Sequence, residues 1–166
     1  MEILDIYDKD ANKTGKTVNR EDIDNMKEGD YIVVPVCLIV NLDGKILLTQ
    51  RSYEKDGGGL WEPTKGALRS GEKPIDGMRR ELQEEIGLTN SDGIRMIGKL
   101  LRHNKIYFIY ELKKDIKIED LSFTDNEVMG AKYVSEEEYR KMAEDGLLRN
   151  KAMLMLLDVY KEKSVK

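Results

Sequence analysis

The chain is poor in the residues that build several common kinds of site. There is one cysteine, Cys37, so no intrachain disulfide can form. A chain without disulfides suits a reducing compartment, and a cytoplasmic location is the expectation. Cys37 lies inside the apolar run 32–40, where a thiol acts as a small packing group. There is also one histidine, His103, which excludes a zinc site built from several His and Cys ligands. Any metal must be held by carboxylates and backbone oxygens, a donor set that selects a hard cation such as Mg²⁺ or Mn²⁺. Long hydrophobic runs are missing too. The run 32–40 is about half of the ~20 residues a spanning helix needs, so no membrane segment is expected. The start, MEILDIYDKD, has no basic region and no long apolar stretch, and so does not read as a signal peptide. Positive charge is not in excess: the formal net charge is −4, which argues against binding long nucleic acid. A small phosphorylated ligand remains compatible, because a divalent cation can supply the attraction.

What is present is a block-patterned, highly charged chain, 40% hydrophobic and 36% charged over 166 residues. That length fits a single domain, here taken as 1–166, with an N-terminal strand and extension over 1–30 and a core over 31–163. Residues 2–7 alternate like a short strand, and 9–29 reads as polar turn and irregular structure. Strands are expected at 31–40 and 45–50, joined by Asp43-Gly44 turn chemistry, then at 94–101, 105–112 and 128–134. The clearest helix runs from Pro74 to Gly87, with Ile75, Met78, Leu82 and Ile86 on one stripe. Proline suits its first turn and glycine its C-terminal cap. Ser135, with Glu138 three residues on, opens a second helix, and 151–161 reads as a third. Strands mixed with helices give an α+β or layered α/β/α pattern.

Glu81, Glu84 and Glu85 fall within roughly 100° of arc on the first helix, on the flank of its apolar stripe. Most charge runs are solvated faces. Here Glu81 and Glu85 stand at i and i+4, where like charges destabilise by about 0.2–0.5 kcal/mol, and only Arg80 is an obvious local partner. A divalent cation would turn that repulsion into ligation. The loop before the helix, from Lys65-Gly66 through Ser70-Gly71-Glu72, is punctuated by glycine, which lets backbone groups approach a metal or phosphate. Glu72 is placed to pair with Arg80 and fix this loop on the helix.

Gly66, Glu72, Arg80, Glu81, Leu82, Glu84, Glu85, Gly87 and Leu88 fill the pattern of the Nudix box without substitution, and the chain resembles the Nudix (MutT-like) hydrolases. Seven fixed residues at typical usage would coincide by chance on the order of once in 10⁸ starting points. Trp61 in Gly-Leu-Trp-Glu-Pro resembles the family's lead-in, and 126–137 resembles its closing strand and helix. Leu4-Asp5-Ile6-Tyr7-Asp8 with Thr14-Gly15-Lys16 resembles a bacterial branch related to isopentenyl-diphosphate isomerase. The resemblance implies an α/β/α sandwich with a mixed sheet, and Mg²⁺ or Mn²⁺ held by Glu81, Glu85 and Glu84. A backbone carbonyl near Lys65 or Gly66 would complete the shell. It implies hydrolysis of a phosphoanhydride in a nucleoside diphosphate linked to another group. Glu84, Glu85 or Glu127 would act as base or position the water, with Arg80 in the catalytic cluster and Gly66, Glu72 and Gly87 shaping the box.

Substrate contacts are expected from Arg51, Trp61 and Lys65, although each has an ordinary alternative as surface charge or core packing. Many Nudix members carry a second glycine where this chain has Lys65, and Pro63-Thr64-Lys65-Gly66 is similar to the Pro-Lys-Gly of dinucleoside-polyphosphate hydrolases. Arg102 and His103 are weaker candidates, and His103 reads better as an exposed hairpin residue. Two rivals stand beside hydrolysis. An isomerase acting on isopentenyl diphosphate would, by resemblance, use a cysteine beside a histidine, which Cys37 lacks. A nucleotide sensor would have no need of the three glutamates. A homodimer paired through the N-terminal strand is left open.

Overall fold

The computed structural model describes residues 2–164. The single-domain expectation also takes in Met1, Val165 and Lys166, which lie outside the described residues. The organising element is β3 (Ile32–Val40), every residue of which is buried. Such a strand must be covered on both faces, and its β-branched run is suited to that. It pairs in parallel with β8 (Lys105–Lys113), from Ile32 opposite Lys105 to Val40 opposite Lys113. β7 (Arg95–Arg102) continues the sheet antiparallel to β8. Across β3, the short β6 (Thr64–Lys65) pairs at Cys37 and Val36, and the turn 41–45 brings in β4 (Ile46–Arg51) at Val40. β4 in turn pairs with β5 (Trp61–Glu62) and with β9 (Val128–Val134). The result is a mixed seven-stranded sheet.

Alternation along β3 builds two cores. Val33, Cys37 and Ile39 pack with Met78, Leu82 and Ile86 of α1 (Pro74–Ile86). Ile32, Val34, Val36, Leu38 and Val40 pack with Tyr139 and Met142 of α2 (Glu136–Glu144) and with Met153, Leu156 and Leu157 of α3 (Ala152–Ser164). Helices thus cover both sides of the sheet in an α/β/α arrangement. Each fully buried Leu, Ile or Met contributes roughly 1.5–3 kcal/mol. α1 has the expected ends: Pro74 stands in its first turn, and Gly87 caps it at φ 71°, donating to Gln83 O and Leu82 O. Ser135 caps α2 by accepting from the Glu138 backbone N–H at 3.1 Å. No described helix is long and apolar enough to cross a membrane.

The N-terminal region departs from expectation. Lys13–Asn19 is not irregular but a strand, β2, which forms a hairpin with β1 (Ile3–Tyr7), and a 3₁₀ turn follows over Arg20–Asn25. Five of the seven β2 residues are exposed, so no apolar alternation marks it; backbone pairing with β1 makes the strand. That pairing is internal, and Tyr7 exchanges backbone hydrogen bonds with Tyr31 at 2.8 and 2.9 Å. One edge of β1 is thus paired with β2 within the chain.

Candidate active site

α1 carries its carboxylates inward at the point where the box loop meets it. Glu81 and Glu85 are 6% and 7% exposed, values rare for glutamate without a strong partner. Arg80 organises the cluster. Its Nε and Nη2 donate to Glu72 Oε2 and Oε1 at 2.7 and 2.9 Å, and Nη2 also donates to Ala67 O at 3.2 Å. Its Nη1 donates to Glu81 Oε1 at 2.7 Å and to Glu84 Oε2 at 3.1 Å. Glu72 also accepts from the Arg69 backbone N–H at 3.1 Å. The loop and the helix are thereby held as one unit. Burial alone would raise the Glu72 carboxyl, but the bonds and charge of Arg80 and Arg69 outweigh it and hold it below its ordinary value.

Gly66 is required by packing. A Cβ there would stand 2.1 Å from the Glu81 carboxylate carbon, so the carboxylate lies directly over the glycine. The Gly66 amide donates to Pro35 O on β3 at 3.2 Å, which fixes this floor against the sheet.

Around this floor negative charge exceeds its local compensation. Burial, followed by the Glu81 and Glu62 carboxylates, pushes Glu85 well above the usual carboxylate range. Glu85 accepts no hydrogen bond among the described residues. Burial also pushes Glu81 up to about 7 despite Arg80, with Glu84 and Glu127 adding to the rise. Glu62 is 4% exposed; its Oε1 accepts from Arg51 Nη1 at 3.1 Å, while its Oε2 has no hydrogen bond. Lys65 Nζ stands 3.4 Å from that Oε2, close enough for an ion pair only. Among the described residues, no three His, Cys, Asp or Glu side chains converge closely enough to grip an ion together, since Glu81 and Glu84 both lean on Arg80. The donors are nonetheless of the right kind. Several all-oxygen anionic groups border one cleft, one buried carboxylate oxygen is orphaned, and a divalent cation would relieve the repulsion between them.

The cleft encloses about 420 Å³ and includes Glu62, Lys65, Glu81, Glu84, Glu85 and Glu127 in its lining. Arg51 also faces it, held by Glu62 and by Asp56 O at 2.8 Å. Glu127, from the loop before β9, pairs with Lys55 at 3.2 Å. Trp61 does not line it. Its half-buried ring packs on the α2/α3 core with Lys132 Nζ 4.7 Å above its centroid, so the cleft lends no support to the substrate contact expected at Trp61. The cause is strand alternation: Glu62, the next residue on β5, is the one turned to the cleft. His103 sits in the β7–β8 turn at φ 54°, exposed and outside the cleft. Cys37 is 1% exposed in the α1 core, and burial raises its thiol pKa.

Sequence reasoning missed Glu62, Lys105 and the N-terminal residues Glu2, Arg20 and Ile23, all of which border the cleft. Only Glu62, beside Trp61 in the lead-in, had any signal. The others arrive through the β1–β2 hairpin and the β3–β8 pairing, which no local pattern announces.

Comparison with known proteins agrees with this geometry. A family model described as the NUDIX domain matches residues 30–156. The chain is 30% identical over 152 residues to the "Uncharacterized Nudix hydrolase lmo0368" of Listeria monocytogenes, covering 88% of this chain and 87% of that protein. It is 41% identical over 58 residues to the CTP pyrophosphohydrolase of Escherichia coli, covering 35% of this chain and 43% of that protein. In fold it is similar to DR0079 from Deinococcus radiodurans, with a TM-score of 0.78 at 19% identity, covering 96% of this chain and 99% of that one.

Proposed function

The chain belongs to the NUDIX family and is a hydrolase of pyrophosphate bonds; from that premise we propose that its substrate is a nucleoside diphosphate linked to another group, cut with the help of Mg²⁺ or Mn²⁺ held by Glu81, Glu84 and Glu85. The observation that carries the reading is the pair of buried carboxylates, Glu81 and Glu85, of which Glu85 has no hydrogen-bond partner among the described residues and faces a cleft bordered by basic side chains. A buried anion without a partner is unstable in the free protein, and one that acquires a cation and a diphosphate is explained.

In hydrolysis, a water oxygen bonds to one phosphorus as the bridging P–O bond breaks, and the proton lost by the water passes to a carboxylate. When bound, the divalent cation neutralises charge on the phosphate oxygens and lowers the pKa of the attacking water. Glu84 and Glu127 are the carboxylates best exposed for that proton, at 40% and 41% side-chain exposure. Arg80 keeps Glu81 in place over Gly66 rather than touching substrate. Arg51 and Lys65 line the cleft beside Glu62, and we assign them to the phosphate oxygens of the substrate.

The isomerase alternative loses support at Cys37, which is packed in the core with no histidine beside it. The branch related to isopentenyl-diphosphate isomerase rests only on the N-terminal residues. The deciding experiment is a panel of nucleoside-diphosphate derivatives, with Mg²⁺, on the natural protein and on Glu85→Gln. Release of a phosphomonoester product that falls at least about a hundredfold in Glu85→Gln is expected. No turnover across the panel, with ligand binding unmoved by Glu85→Gln, would replace hydrolysis by sensing.

A further inference from the structure

The cations that border the cleft are not equivalent. Arg20 pairs with Glu2 at 2.6 Å, Arg51 with Glu62 at 3.1 Å, and Lys55 with Glu127 at 3.2 Å. Lys65 pairs with Glu62 at 3.4 Å and Arg69 with Glu2 at 3.0 Å. Lys105 faces the same cleft, yet among the described residues it has no carboxylate within 4.0 Å and makes no side-chain hydrogen bond. It is half-buried rather than solvated. Burial, with Lys65 and Arg149 adding, pushes its ammonium below the ordinary value, and Asp24 and Glu62 offset only part of this. A half-buried cation with its charge uncommitted is a site prepared for an anion.

Register fixes where that anion would sit. Lys65, next to Gly66 and the Glu81 carboxylate, pairs opposite Val36 of β3. Lys105 pairs opposite Ile32. Their β3 partners are four positions apart, about 13 Å along the strand. Ile32 and Val34 border the cleft there but are 1% and 4% exposed, so they offer a ligand little surface, and Ile23 also borders the cleft. Ile23 belongs to the segment before residue 30, outside the part that matches the family model. Lys105 also lines a second hollow of about 590 Å³, together with Asn104, Asn150 and Lys151. The cleft thus runs from the glutamates to one uncommitted ammonium, which also faces the second hollow.

We propose that Lys105 is a specificity residue that binds an anionic group, a phosphate or carboxylate, carried by the substrate beyond its scissile pyrophosphate. The preferred substrate class is then a nucleoside-diphosphate derivative that carries a further negative charge on either side of its pyrophosphate. This rests on the hydrolase reading. A charge-assisted hydrogen bond of this kind discriminates by about tenfold or more.

The test uses matched pairs that differ by one anion: NADPH against NADH for a phosphate, and UDP-glucuronate against UDP-glucose for a carboxylate. KM and kcat are measured with Mg²⁺ for the natural protein, Lys105→Met and Lys105→Arg. Dissociation constants are measured by calorimetry in Glu85→Gln, with and without Lys105→Met. In at least one pair the anion-bearing member is favoured about tenfold, the ratio collapses towards one in Lys105→Met, and Lys105→Arg retains it. The pair that shows the ratio identifies the anion. A merely structural lysine would shift both members equally and leave the ratio intact. No preference in either pair, or a preference that survives Lys105→Met, overturns the proposal. If no compound is turned over, the hydrolase reading fails separately, and the ratio of dissociation constants still decides for or against Lys105.

Discussion

Replacing Arg80 by methionine tests whether the site is a pre-built unit. Methionine keeps much of the stem volume and deletes the guanidinium. That removes two bonds to Glu72 at 2.7 and 2.9 Å, one to Glu81 at 2.7 Å, one to Glu84 at 3.1 Å and one to Ala67 O at 3.2 Å. Arg80, Glu72 and Glu81 are 17%, 16% and 8% exposed at the side chain, so the stranded carboxylates are poorly solvated. Breaking a buried pair from one side costs about 3–5 kcal/mol, whereas the Glu84 contact, at 40% exposure, adds under about 1 kcal/mol. For a domain of this size each kcal/mol moves Tm by roughly 2–4 °C, so the expected fall is about 6–20 °C. The assay is thermal unfolding followed by circular dichroism, repeated in urea. The double variant Arg80→Met with Glu72→Gln should recover about 1–3 kcal/mol, because it removes a stranded charge. A fall in Tm below about 3 °C, or a double variant no better than the single one, would refute the reasoning.

Two other perturbations probe the same loop. Gly66→Ala forces the Glu81 carboxylate off the glycine, because the added Cβ would overlap its carbon at 2.1 Å; a displacement near 1 Å should lower kcat about a hundredfold, and activity within threefold of normal would be inconsistent with the packing. Asp5 ties β1 to the loop by accepting from Ser70 Oγ at 2.8 Å and Gly71 N at 2.9 Å, with Lys13 3.2 Å away. Burial opposes the shift, but these bonds lower its pKa below the usual 3.8. A depressed carboxyl stabilises the fold fully above the unfolded value, and that contribution is lost as pH falls through the folded one. The stability gap between the natural protein and Asp5→Asn, read from urea midpoints, should therefore be constant above about pH 5 and shrink below pH 3.8. Taking the difference cancels the opposite trend from Glu81 and Glu85, whose carboxyls are raised. Parallel curves down to pH 2.5 would count against the clamp.

The sequence by itself determined the first helix and its ends. Proline at its start, glycine at its end, an apolar stripe and three flanking glutamates are all local properties, and local geometry converts them directly into a helix with one buried and one acidic face. The β3 and β8 strands were equally legible, because strands covered on both faces must be continuously apolar. The Glu72–Arg80 pair was legible through the fixed box spacing. Tertiary structure decided everything that depends on which strands meet. β2 had no apolar signal because its partner supplies hydrogen bonds rather than a hydrophobic face, so it read as a loop. Trp61 and Glu62 could not be sorted between core and cleft until pairing with β4 set their facing. Lys105 looked like any strand-end lysine until the parallel pairing placed it opposite Ile32, at the far end of a cleft whose helix glutamates, Glu81, Glu84 and Glu85, lie 20 to 24 places earlier in the chain. A charge's neighbours across a sheet are fixed by register, a non-local quantity, and register is where the substrate end of this site was decided.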